Sequence, residues 1–406
     1  MAGSKPSPTV VPFSQSGSLP LISYGMPYDE ACRYHVDTTY NFSRVYLVVS
    51  STLARTSDIC DRFQQALGKK LVGTRLGMKP HTYWSEVLEI VNDARPLNID
   101  CIITAGAGSL TDGAKVIAWA LANDVTTTES LAMLADSKAP GYQHLKPPTV
   151  KHIAVPTTLS GGEYTPFAGA TNDKTKAKVM FSPPGQNPAL VILDPRLART
   201  TPSRMFLGSG VRAFDHCVEA LCSLQSNEEA DAAAREGLRL LIPSLLRCKM
   251  DPTDLEATTQ AQLGSADAIK PSLYGVKMGG SHAIGHQLGP LGVAHGETSC
   301  IMLPAVCKFN ASRKANLERQ QAVVQELLQF AEVKAIVPPE TKDLASILDA
   351  FVRALGLPRT LKEVGVGRDQ LETLAENTLT DAWAVTNPVP LVHKDDVLEI
   401  LEMVAE

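Results

Sequence analysis

The sequence predicts an α/β domain built on a Rossmann-like parallel sheet, followed by an all-α C-terminal domain. Three observations carry this. Strand-like and helix-like segments alternate through the first half. Strand-like runs all but vanish after about Pro202. A chain of 406 residues is too long for one ordinary core, so two domains of roughly 150–200 residues are expected. The apolar fraction of 44% and the charged fraction of 20% are globular values.

Residues 1–20 are rich in Ser, Pro and Gly and lack an apolar stretch. They read as a flexible leader, not a secretory signal. The α/β domain is expected over 21–200. Val45–Ser50 is a β-rich run ending in polar residues, and 57–68 reads as an amphipathic helix with Ile59, Phe63 and Leu67 four apart. Trp84–Ala94 continues in that style. Cys101–Thr104 is a strand that runs into Gly106-Ala-Gly-Ser109 and a helix opening near Thr111-Asp112 and ending near Ala122. His152–Val155 and Leu190–Leu193 are two more strands. Such alternation means a parallel sheet with helices on its faces. The helical domain is expected over 201–406, with helices at 208–224, 228–250, 255–268, 272–289, 317–334, 343–355 and 393–405.

Composition excludes several classes of function. A net charge of −5 with no basic stripe argues against nucleic acid as a partner. No run of ~18 uncharged apolar residues offers a membrane span. The eight cysteines form no C-x-x-C pair and several lie in apolar runs. They read as reduced, buried thiols of a cytoplasmic protein.

Two loops carry a coenzyme signal. Strand, then Gly106-Ala-Gly-Ser109, then a helix N-terminus near Asp112 is an arrangement that receives a diphosphate: Gly106 and Gly108 let the backbone approach, and free N–H groups with Ser109 meet the anion. A plain strand-to-helix turn that needs glycine would look the same. A second polar loop, Pro156-Thr-Thr-Leu-Ser-Gly-Gly-Glu163, follows the next strand and adds Thr157, Thr158 and Ser160 at the carboxyl ends of strands, where ligands of open α/β sheets bind.

The second half sets out chemistry of another kind. Gly210-Val-Arg-Ala-Phe-Asp-His216, Ser281-His-Ala-Ile-Gly-His286 and Ala294-His-Gly296 hold four of the nine histidines. On a helix, Arg212 and His216 share a face, as do His282 and His286. This spacing suits a metal site or a histidine acting as an acid. Arg212 decides between them, because a guanidinium stays charged and ligates no cation.

Taken with Gly106-Ala-Gly-Ser-Leu-Thr-Asp-Gly-Ala-Lys115, these motifs resemble the iron-containing (group III) alcohol dehydrogenase superfamily over roughly residues 40 to 310, ending in His295-Gly296 and Leu303-Pro304. The shorter loop Pro156–Thr165 is more similar to the maleylacetate reductase branch. The resemblance implies the dehydroquinate synthase-like, group III alcohol dehydrogenase architecture, a homodimer, and hydride transfer between NAD or NADP and a small-molecule carbonyl or alcohol in a cleft between the domains. It also implies that His216, His282 and His295 match ligands of iron or zinc, that Arg212 stands where an aspartate completes that site, and that His286 handles the proton.

With Arg212 in place no bound metal is expected, and Asp215, about 100° around the helix from His216, is not expected to substitute. Arg212 can polarise a carbonyl, pair with a carboxylate or enolate, or simply bridge to Asp215 or Glu219. Ser50-Ser51-Thr52, after the first strand, lacks the acidic residue that holds the ribose hydroxyls of NAD, so NADP is admitted. The leading expectation is an NAD(P)H-dependent, metal-independent reductase. A dehydratase, isomerase or cyclase on the same scaffold, and a metal-dependent alcohol dehydrogenase, remain open. Residues 310–406 carry no interpretable motif; Trp383 and Asn387 are candidates to line the cleft.

Overall fold

The computed structural model describes residues 7–14, 20–139, 141–182 and 187–406. Two compact units divide the chain, Met1–Thr200 and Thr201–Glu406. In the first, seven strands form one sheet: β1 (Thr9–Pro12), β2 (Leu21–Tyr24), β3 (Val45–Val49), β4 (Leu71–Leu76), β5 (Cys101–Gly106), β6 (Lys151–Pro156) and β9 (Leu190–Leu193), in the order β1-β2-β9-β6-β5-β3-β4. All neighbours are parallel except β1 and β2. β7 (Ala168–Thr171) and β8 (Lys178–Phe181) form a separate antiparallel pair.

The pleat explains why β3 and β5 are apolar throughout. Val45, Leu47 and Val49 pack with Cys101, Ile103 and Ala105 on one face, while Tyr46, Val48 and Ile102 meet Trp84 and Trp119 on the other. Strands covered on both sides need apolar residues at every position. From β3 the chain moves outward to β4, then returns to the other side of β3 as β5. The carboxyl ends of β3 and β5 therefore flank the point where strand order reverses, which is where doubly wound sheets bind ligands.

One expectation needs correction. The leader predicted over 1–20 is not wholly flexible, because Thr9–Pro12 pairs with Leu21–Tyr24 from Thr9↔Tyr24 to Pro12↔Leu21. Its Thr-Val-Val run supplies the β-branched side chains that suit an edge strand. Residues 1–6 and 15–19 of the predicted leader lie outside the described residues.

The second unit is helical, and no strand occurs among its described residues. Its central helix, Ser203–Cys222, is buried at every position from Phe206 to Cys222. A helix apolar enough to sit in the middle of a bundle is expected to be buried all round. This one nevertheless carries Arg212, Asp215, His216 and Glu219. Four buried polar side chains on one helix must find partners or impose a large desolvation cost. For Arg212, Asp215 and Glu219 those partners come from residues 279–282 and from His295–Ser312. Among the described residues no helix is long and apolar enough to cross a membrane. Seven of the eight free cysteines are buried, Cys60 being partly exposed.

Candidate active site

In the first unit, β5 ends at Gly106 and the helix Gly108–Ala122 begins two residues later. Gly106 has φ of 152°, a conformation that side chains resist. The predicted coenzyme residues come together around it. Ser50 N–H donates to Ala105 O (2.9 Å), and Thr157 N–H donates to Gly106 O (3.0 Å). Ser160 Oγ lies 3.1 Å from where a Cβ of Gly108 would stand, and Thr158 shares a hydrogen bond with Ser160 (3.3 Å). Asp112 has a partner of its own: its carboxylate accepts from Gly169 N (3.2 Å), at the start of the β7–β8 pair. Lys115, fully buried, donates to the carbonyls of Gly162 (2.6 Å) and Phe167 (2.7 Å). Burial lowers its pKa, an effect opposed by Asp112 and Glu163. The two polar loops are thereby tied to one helix.

In the second unit, the four histidines gather. His216 and His282 stack with ring centroids 4.7 Å apart. Trp383 bridges the pairs, 5.7 Å from His282 and 5.0 Å from His286, and His286 lies parallel to His295 at 6.3 Å. His216 and His282 are buried, His286 is partly exposed, and His295 is exposed. The cluster thus runs from a dry end to a wet one.

Arg212 lies at the dry end, 3% exposed. Its Nη1 donates to the hydroxyls of Thr298 (3.3 Å) and Ser299 (3.2 Å), not to the Asp215 or Glu219 carboxylates considered above. A Cβ at position 285 would come within 2.8 Å of Thr298 Oγ1 and 3.5 Å of Arg212 Nη1, so Gly285 makes room for this contact. Burial lowers the Arg212 pKa to about 10, against the pull of Asp215, Glu219 and Asp381, and leaves it charged at neutral pH. His216 is held well below the usual imidazole range by burial and by the charges of His282 and Arg212. Burial, then Arg212 and His286, do the same to His282.

Glu219, in the sequence a candidate salt-bridge partner of Arg212, organises the cluster instead. Its oxygens accept from the N–H groups of Gly279 (2.8 Å) and Ser281 (2.8 Å) and from His282 Nδ1 (2.8 Å). Burial raises its pKa to about 7 in spite of those donors. Lying seven residues after Arg212, it repeats the same helix face, a signal present in the sequence. Asp215 is also in the cluster, although it lies about 100° around the helix from His216. Its Oδ2 accepts from Ser281 Oγ (2.7 Å) and lies 3.5 Å from His282 Nδ1, because His282 reaches between the two carboxylates. Burial and the Glu219 charge raise the Asp215 pKa.

The C-terminal stretch adds Asp381 to the candidates Trp383 and Asn387. Asp381 Oδ2 accepts from His286 Nδ1 (2.8 Å), while its Oδ1 accepts from Trp383 N (2.9 Å). Asn387 pairs amide-to-amide with Asn310 and accepts from Gly280 N (3.1 Å), which fixes the stretch to the start of the His282 helix.

Residues 30–195 match the model of iron-containing alcohol dehydrogenases, and residues 206–405 match the C-terminal model of the Fe-containing alcohol dehydrogenase family. The chain belongs to the iron-containing alcohol dehydrogenase family. Dehydrogenase FUM7 of Gibberella moniliformis is 36% identical, with 96% of each chain covered. Dehydrogenase ALT3 of Alternaria alternata is also 36% identical, covering 88% of this chain and 98% of that one. A maleylacetate reductase of Burkholderia cepacia is 27% identical over 87% of this chain and 88% of that one. Among solved structures, maleylacetate reductase from Agrobacterium tumefaciens superposes with a TM-score of 0.71 at 24% identity, covering 94% and 95% of the two chains. The family and these relatives make the protein an NAD(P)-dependent oxidoreductase of the alcohol dehydrogenase and maleylacetate reductase type.

Proposed function

We propose that this protein is an NAD(P)H-dependent reductase of a small carbonyl or enolic compound, with an anionic group on the substrate, working without a divalent metal. The observation that carries the reading is the buried guanidinium of Arg212, on the helix face it shares with Glu219, the carboxylate that holds His282.

The family name raises the question of iron, and the donors must be tested against it. Buried His216 Nδ1 and His282 Nε2 have no hydrogen-bond partner, and a cation could use such atoms. Asp215, Glu219 and His282 also lie within 4.8 Å of one another. Their hydrogen bonds account for that grouping, since His282 Nδ1 is donated to Glu219 and both carboxylates accept from residue 281. Arg212, buried on the same helix as His216, already brings a positive charge to this pocket, and a second cation in the same low-dielectric surroundings is repelled by roughly several kcal/mol. The guanidinium beside these donors is what argues against a divalent ion.

In the proposed reaction, a reduced nicotinamide bound at the Gly106 and Thr158 loops would supply hydride to the carbonyl carbon, and the chain's own groups would manage the charge left on the carbonyl oxygen. His286, its Nδ1 turned to Asp381, delivers a proton from Nε2 to that oxygen. The products are an alcohol and NAD(P)⁺. Arg212 supplies fixed positive charge for the developing alkoxide or a neighbouring anionic group. The loops around Gly106 and Thr158 hold the coenzyme, and Ser50 in place of an acid admits NADP as well as NAD. Titration of chelator-dialysed protein with NADPH and NADH, followed by nicotinamide fluorescence, tests the redox half of the reading. Micromolar binding supports it; binding of neither coenzyme favours acid–base chemistry without hydride transfer.

A further inference from the structure

The segment between β4 and the helix Trp84–Ala94 holds two successive non-glycine residues with positive φ. His81 and Thr82, neither of them glycine, have φ of 73° and 54°. A β-branched side chain rarely adopts the left-handed region, and two successive residues there persist only where surrounding contacts hold them. The contacts are explicit. Thr82 is 1% exposed; its carbonyl accepts from Thr171 N (2.8 Å), and the carbonyl of His81 accepts from Thr171 Oγ1 (2.9 Å). Lys79 N donates to Glu86 (2.9 Å) and so fixes the start of the turn. Gly77 N donates to Val49 O (2.7 Å), bringing the segment beside Ser50.

What the strain secures is the direction of one hydroxyl. Thr82 Oγ1 donates to the carbonyl of Ser109 (2.9 Å), in the first turn of the helix that follows Gly106. Met78 packs where a side chain at position 113 would lie, so the same segment grips the helix one turn further on. We infer that Thr82 is a positioning residue for the coenzyme, fixing the first turn of Gly108–Ala122 so that the N–H groups of the Gly106–Ser109 loop are aimed at the diphosphate before it arrives. This rests on the reading of that loop as the coenzyme site. An ordered loop binds more tightly because less freedom is lost on binding, and a strained backbone held by neighbours is one way to keep order.

The test compares Thr82→Val, which keeps the branched shape without the donor, with Thr82→Ser, which keeps the donor. NADPH affinity is measured by nicotinamide fluorescence, and amide hydrogen exchange over residues 106–111 is measured on the coenzyme-free protein. Loss of one neutral hydrogen bond predicts about a tenfold weaker Kd for Thr82→Val, with faster exchange at 106–111 and near-parental values for Thr82→Ser. Unchanged exchange in Thr82→Val overturns the inference. Equal impairment of both variants also overturns it, because the hydroxyl would then not be the cause. If the parent protein binds neither coenzyme, the coenzyme reading of the loop fails, and the exchange data still decide whether Thr82 orders it.

Discussion

Asp381 and His286 are 95 residues apart in sequence, yet Oδ2 of one lies 2.8 Å from Nδ1 of the other. The second carboxylate oxygen is held by Trp383 N–H, and the Trp383 ring lies 5.0 Å from the imidazole it helps to orient. Asp381 therefore fixes both the tautomer and the tilt of the histidine assigned to proton transfer.

Asp381→Asn keeps the shape but can present its amide N–H₂ to Nδ1, which favours the wrong tautomer. Loss of an orienting partner of this kind typically lowers activity by about 10–100-fold. The expected result is a fall in kcat with coenzyme affinity unchanged. Activity within about twofold of the parent removes Asp381 from the account.

Arg212→Ala is expected to lower kcat/KM by on the order of 10²-fold, as loss of a fixed electrostatic donor does. Arg212→Lys keeps charge but not the planar fork and should fall between Ala and parent. Steady-state kinetics decide this, and an Ala effect below about threefold rules out an electrostatic role.

Arg212→Asp reverses the charge that disfavours a cation. Near-stoichiometric Zn²⁺ or Fe²⁺ is expected on the purified variant, measured by elemental analysis, with the parent binding far less. Equal metal in both proteins means that the histidines accept an ion despite Arg212.

Stability should depend on pH through His152. This histidine is fully buried, bonded to Thr104 Oγ1 (2.8 Å), and desolvation, assisted by Lys115, lowers its pKa to about 3. The unfolded chain takes up the proton near pH 6.5 and the folded chain does not. The contribution is complete above that value and is lost progressively as pH falls through it toward about 3. Melting temperature should fall between about pH 7 and 5, and His152→Asn should flatten that slope. An unchanged slope assigns acid sensitivity to other groups.

Much of this was legible in the sequence where one physical signal dominates. Val45–Val49 and Leu190–Leu193 are apolar at every position because both faces of the sheet are covered. The four-residue spacings of Arg212 with His216 and of His282 with His286 place both pairs in one cluster. Weaker signals hid the rest. β4 reads Leu-Val-Gly-Thr-Arg-Leu and is half exposed at the sheet edge, so it lacks an apolar run. Ala168-Gly-Ala-Thr171 owes its strand form to pairing with β8, not to propensity. His295–Ser312 begins His-Gly and contains Pro304, which disguises a buried helix. Asp381 lies on an irregular stretch, where periodicity says nothing and only its contact with His286 reveals a role.

The most direct test of the central claim is single-turnover oxidation of NADPH bound to chelator-treated protein, mixed with a panel of small 2-oxo and 4-oxo acids and followed by nicotinamide absorbance. The account predicts that at least one such acid is reduced without added metal, and that Fe²⁺ or Zn²⁺ does not raise the rate. Reduction that occurs only after metal is restored would contradict it.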